Sequence, residues 1–96
     1  MTNCVTLVFD KTITRVAGFE YGQECYRDQI LGKLDYTQPF TLIIPPQVRR
    51  VASSFVQGFF ADIKKDIGIS GIRENMTISS PYEKLQSDII EKLYGC

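Results

Sequence analysis

Apolar residues along this chain recur with two different periods, and the two periods alternate. Residues 4–9 (CVTLVF) and 12–16 (TITRV) are short, β-branched runs that predict two strands. Asp10-Lys11 between them predicts a β-hairpin, although the turn lacks the glycine that hairpins favour. From 21 to 34 the period lengthens: Tyr26, Ile30, Leu31 and Leu34 fall at helical spacing. Glu24 and Asp28 lie near the start of that helix and Lys33 near its end, as the macrodipole favours. Residues 35–39 read as a loop.

FTLII (40–44) is an apolar run of strand length, the kind found where both faces of a strand are covered. Pro45-Pro46 ends it, because proline donates no ladder hydrogen bond. Val48 and Val51 bracket Arg49 and Arg50, so the valines are expected to point inward. The broadest apolar stripe follows. Phe55, Val56, Phe59, Phe60, Ile63 and Ile67 mark a helix opened by Ser53 or Ser54 and closed at Gly68 or Gly71. A last strand is expected around 76–79. The stretch SPYE (80–83) then predicts another helix, with Ser80 as cap, Pro81 in the first turn and Glu83 completing a capping box. Tyr82, Leu85, Ile89 and Leu93 form its stripe, with Ile90 alongside.

The predicted order is β-β-α-β-α-β-α, one α/β domain over 1–96. It would hold a mixed sheet of about four strands and three helices, the last strands parallel. No internal repeat is evident. Three helices do not suffice to cover FTLII on both faces, so long side chains or a second subunit would complete the layer; the chain is expected as a monomer or homodimer.

Composition narrows the chemistry. Eleven basic residues balance eleven acidic ones, which leaves no electrostatic footprint for nucleic acid or an anionic membrane. The absence of histidine removes the commonest general base and metal ligand, and with it any Ser-His-Asp or Cys-His site within the chain. Cys4, Cys25 and Cys96 have no metal-ligand spacing, and an odd, scattered set is a poor disulfide framework. Cys25 is expected to pack in the core and Cys96 to fray. No metal, no cofactor and no enzymatic activity are expected, and a cytoplasmic location fits the free thiols and the lack of a signal peptide.

One short stretch carries candidate chemistry. In VRRVASSFVQGFF (48–60), Ser53 and Ser54 stand at the mouth of the phenylalanine-rich helix, where a serine hydroxyl can cap. A phosphate there would also meet free N–H groups and the positive end of the helix dipole, with Arg49 and Arg50 in reach. The strand, loop, Val-x-x-Val-x-Ser-Ser and helix resemble the STAS fold of anti-sigma-factor antagonists. Ser53-Ser54-Phe55 leading into Val56-Gln57-Gly58-Phe59-Phe60 is more closely similar to the bacterial STAS-like domain family of unknown function. The resemblance spans residues 22–93. It implies a STAS-like fold and a partner-switching module that docks a protein partner, an anti-sigma factor or a kinase-like ATPase. Ser54 matches the serine that such a kinase phosphorylates, with Ser53 just before it. The chain departs from the antagonists at Ala52, at Ile44 with Pro45-Pro46, and at Phe55, where they carry Asp, Asp and Gly. A small-molecule or nucleotide sensor with a pocket near the same loop is the alternative from a different class.

Overall fold

The first two strands do not form the expected hairpin. The Asp10 carboxylate accepts from the Thr12 backbone N–H and hydroxyl at 2.9 and 2.8 Å. This Asx turn redirects the chain without folding it back in register. The computed structural model, which describes residues 3–94, sends each strand to a distant partner instead. β1 (Cys4–Thr6) pairs in parallel with β3 (Phe40–Ile43), and β2 (Arg15–Val16) in parallel with β4 (Arg50–Val51). The carbonyls of Thr14 and Val16 accept from the N–H groups of Arg49, Arg50 and Ala52, so they have nothing left for a hairpin.

The described residues also form three helices: α1 (Phe19–Gln29), α2 (Ser53–Asn75) and α3 (Glu83–Tyr94). β5 (Met76–Ser79) lies where its sequence placed it and pairs in parallel with β3. In place of one mixed sheet of about four strands, the described residues form five strands in two parallel sheets, ordered β1-β3-β5 and β2-β4. The fold class α/β with three helices stands. The strand order does not, because β4 is an extra short strand between β3 and α2.

Parallel register puts Val5, Leu42 and Ile78 side by side on one face. Leu42 and Ile78 are buried there, as are Leu7, Phe40 and Ile44, under the phenylalanines of α2. The opposite face carries Cys4, Thr6, Thr41, Ile43, Thr77 and Ser79. Thr41 and Ile43 are half-buried and the other four exposed. Within this single chain FTLII is fully covered on one face, while its outward positions Thr41 and Ile43 are half-buried. Alternation is visible in its burial once Thr41 is seen as an outward position.

Helix boundaries follow local chemistry with two adjustments. α1 begins at Phe19, behind Gly18, whose φ of 105° only glycine adopts readily. It ends at Gln29, yet Ile30 and Leu34 beyond it are still buried, while Leu31 is exposed. In α2, Phe55, Val56, Phe59, Phe60 and Ile63 are buried. Gly68 (φ 71°, ψ 172°) breaks the helix as expected, but helical turns resume to Asn75. α3 starts at Glu83; Ser80 Oγ accepts from the Tyr82 N–H at 3.1 Å, and Gln86 Nε2 donates to the Ser80 carbonyl at 3.0 Å, a tie different from the capping-box bond expected of Glu83.

α1 and α2 pack by direct backbone approach. A Cβ on Gly22 would lie 2.4 Å from the Phe55 carbonyl oxygen, and one on Gly58 would lie 2.0 Å from that of Phe19. Only hydrogen fits at either place. Edge-on contact of Tyr26 with Phe59 (centroids 6.4 Å apart) extends the interface along both helices. The void beneath α2 is about 20 Å³ and lined by apolar side chains, a packing gap in the core. Among the described residues no helix is long and apolar enough to cross a membrane.

Candidate functional site

The candidate site is built by two parallel strands that each run straight into a helix. β4 enters α2 through Ala52, and β2 enters α1 through Ala17-Gly18. Because β2 and β4 are paired in register, Arg15 with Arg50 and Val16 with Val51, the two helices start side by side. The local sequences match as well. Arg15-Val16-Ala17 returns as Arg50-Val51-Ala52, and Phe19-Glu20-Tyr21-Gly22 as Phe55-Val56-Gln57-Gly58. The chain thus carries a short internal repeat, against the expectation of none. Its contact is reciprocal: the glycine of each copy meets the phenylalanine carbonyl of the other.

Neither serine caps α2. The N-cap is Ala52, with no side-chain cap bond, which corrects the capping assignment. Ser53 and Ser54 already lie within the first turn, where a serine side chain is past the N-cap position. Half-buried Ser54 instead accepts, through Oγ, from the Gly18 N–H at 3.0 Å and so ties the start of α2 to the start of α1. Ser53 is exposed.

The approach to this corner is fixed by burial. After Pro45-Pro46, the Val48 N–H donates to the Pro45 carbonyl at 3.1 Å, and Val48 itself is fully buried. Val51 and Phe55 are buried too, so the inward direction expected for both valines is observed. The ring of Tyr21 packs between Phe9 and Phe55, with centroids 6.2 and 5.7 Å away. Burial pushes the Tyr21 phenol up, with the neighbouring Cys25 adding to it. Burial likewise raises the Cys25 thiol, which keeps it protonated and fits its packing role. Cys96 lies outside the described residues.

The two arginines part company. Successive residues of a strand point to opposite faces. Arg49 lies over the Tyr82 ring, its guanidinium carbon 5.7 Å from the centroid. Arg50 lines a hollow of about 340 Å³ together with Arg15, Val51, Ala52, Asp88 and Lys92. Arg49 and Arg50 are thus separated and do not form a joint clamp beside the serines. Lys92 Nζ donates to the Val51 carbonyl and to Asp88 Oδ2, both at 2.7 Å, which fixes the α3 side of the hollow.

Arg15, Lys92 and the glycine pair were not picked out from the sequence. The repeated Arg-Val-Ala and Phe-x-x-Gly could have flagged Arg15, Gly22 and Gly58. Nothing local marks Lys92, which arrives from α3. Among the described residues no group of three or more His, Cys, Asp or Glu side chains could hold a metal ion. Compared with known proteins, the chain matches no family model, no curated protein and no solved structure.

Proposed function

We propose that the chain is a STAS-like, non-enzymatic regulatory module that docks a protein partner through residues 45–54 and the first turn of α2. The observation that carries this reading is the division of labour between the two serines. Ser54 is occupied in holding two helices together, while Ser53, Arg49 and Pro46 stand exposed on a corner anchored by buried Val48, Val51 and Phe55. A rigid corner with an outward rim loses little conformational freedom on binding, which favours recognition.

Partner switching by phosphorylation belongs to the same proposal. The resemblance points to Ser54, but its hydroxyl is engaged; Ser53 is the hydroxyl a kinase can reach. A phosphate on Ser53 would sit in the first turn of α2, where the dipole favours it.

The test is titration calorimetry with an anti-sigma-factor-type ATPase encoded in the same genome. Ser53→Glu and Arg49→Glu should each weaken binding at least about tenfold, or about 1.4 kcal/mol. Lys65→Glu, on the exposed face of α2 beyond the corner, should leave it unchanged. Equal loss in all three variants, or none in the corner pair, would refute the docking site. Mass spectrometry after incubation with the ATPase and ATP should find phosphate on Ser53, not Ser54.

A further inference from the structure

The hollow between the β2–β4 pair and α3 collects charge. The chain as a whole is neutral. Here Arg15, Arg50 and Lys92 converge from three separate elements, and Asp88 is the one carboxylate in the lining. Asp88 is already bonded to Lys92. Three cations against one carboxylate leave two positive charges facing the same space.

The arrangement works against stability. Arg15 and Arg50 are register partners on adjacent strands, and like charges directly opposite one another repel. Among the described residues neither guanidinium has an ion-pair partner, since the Lys92–Asp88 pair takes the nearby carboxylate. The repeated Arg-Val-Ala places the same residue at the same register position in both strands, so the pair is a product of the fold and not of two unrelated surface side chains. A bound dianion would turn that repulsion into shared attraction.

We propose that this hollow binds a phosphate-monoester group, with Arg15 and Arg50 as paired guanidinium donors and Lys92 as the third positive charge. Guanidinium forks suit tetrahedral oxyanions because each can donate two parallel N–H bonds. At neutral pH a phosphate monoester carries close to two negative charges, which matches the surplus. The volume, about 340 Å³, accommodates the phosphate and part of the group bearing it. Walls supplied by Val51 and Ala52 are small and offer no aromatic platform for a base, so the phosphate is the unit recognised. The proposal goes beyond protein docking: Ser53 and Arg49 can meet a partner whether or not the hollow is filled.

The experiment is thermal unfolding of the full chain with inorganic phosphate or O-phosphoserine, against sodium chloride at matched ionic strength. A ligand that binds only the folded state raises the midpoint, by roughly 5–10 °C at ten times its dissociation constant. Both phosphate probes should produce the rise and chloride should not. Arg15→Gln and Arg50→Gln should each abolish it, while Lys64→Gln should keep it. Arg15→Gln should also raise the midpoint measured without phosphate, because it removes the like-charge contact. As a check that does not depend on the unfolding midpoint, phosphate should shift the Val51 and Ala52 amide NMR signals in the native chain and leave them unmoved in the Arg15→Gln variant. No midpoint rise in the native protein, or the same rise in the Arg15→Gln, Arg50→Gln double variant, would overturn the proposal.

Discussion

The two strand-to-helix corners of this protein start from the same letters and end in different roles. Arg15-Val16-Ala17 turns through a single glycine into Phe19, whereas Arg50-Val51-Ala52 turns through Ser53-Ser54 into Phe55. At the first corner the backbone takes a left-handed φ at Gly18, and its N–H is satisfied from outside by Ser54. At the second the backbone is extended at Ala52 (φ −75°, ψ 153°) and no side chain caps the helix. One corner is closed by the other. The two serines that stand where the first corner has Gly18 supply the tie, through Ser54, and the exposed hydroxyl, on Ser53. A repeated backbone device can therefore be scaffold in one copy and candidate site in the other, according to where its hydroxyls point.

The largest expected effect comes from breaking what the corners share. Gly58→Ala would push a methyl group into the Phe19 carbonyl, and the helices must separate. Denaturant unfolding should show a loss of about 3 kcal/mol, well above the helix-propensity gain of about 1 kcal/mol. A neutral result would mean that the helices do not cross at this pair.

Gly18→Ala addresses the first corner alone. The positive φ there should cost roughly 1–3 kcal/mol. The structure gives that position ordinary space, since an added Cβ comes no closer than 3.7 Å to Tyr21. The cost is therefore one of backbone conformation, and because φ 105°, ψ 129° lies outside the left-handed helical region that asparagine tolerates, Gly18→Asn should lose about as much.

Ser54→Ala severs the tie between corners and should cost about 1 kcal/mol. Ser53→Ala, at an exposed position with no such bond, should stay within about 0.5 kcal/mol. Equal effects from the two would erase the distinction on which the docking proposal rests. At the second corner the sign reverses. Ala52→Ser offers a hydroxyl to the free N–H groups of the first turn and should stabilise by up to about 1 kcal/mol.

These contrasts also explain what could be read in advance. β5 at 76–79, the opening of α2 at Ser53 and its break at Gly68 rest on neighbouring residues: β-branching, a phenylalanine stripe, a glycine. Strand partnership does not. β1 finds β3, and β2 finds β4, across some thirty-five residues, and parallel pairing leaves no turn between them to announce it. Asp10-Lys11 looked like a hairpin because an Asx turn and a hairpin turn use the same residues. The serine pair was found, but its task was misassigned, since one residue's difference in helix start moves a cap into the first turn. The hollow was half-visible: Arg50 belonged to the motif, whereas Arg15 and Lys92 join it only through register and α3 packing.

Backbone amide exchange at Gly18 tests the central claim most directly, because that N–H is the one donor held by Ser54 Oγ. In the Ser54→Ala variant its exchange should accelerate between about twofold and tenfold, while Ser53→Ala leaves it at the native rate. An unchanged Gly18 rate in Ser54→Ala, or an equal acceleration in Ser53→Ala, would contradict the account.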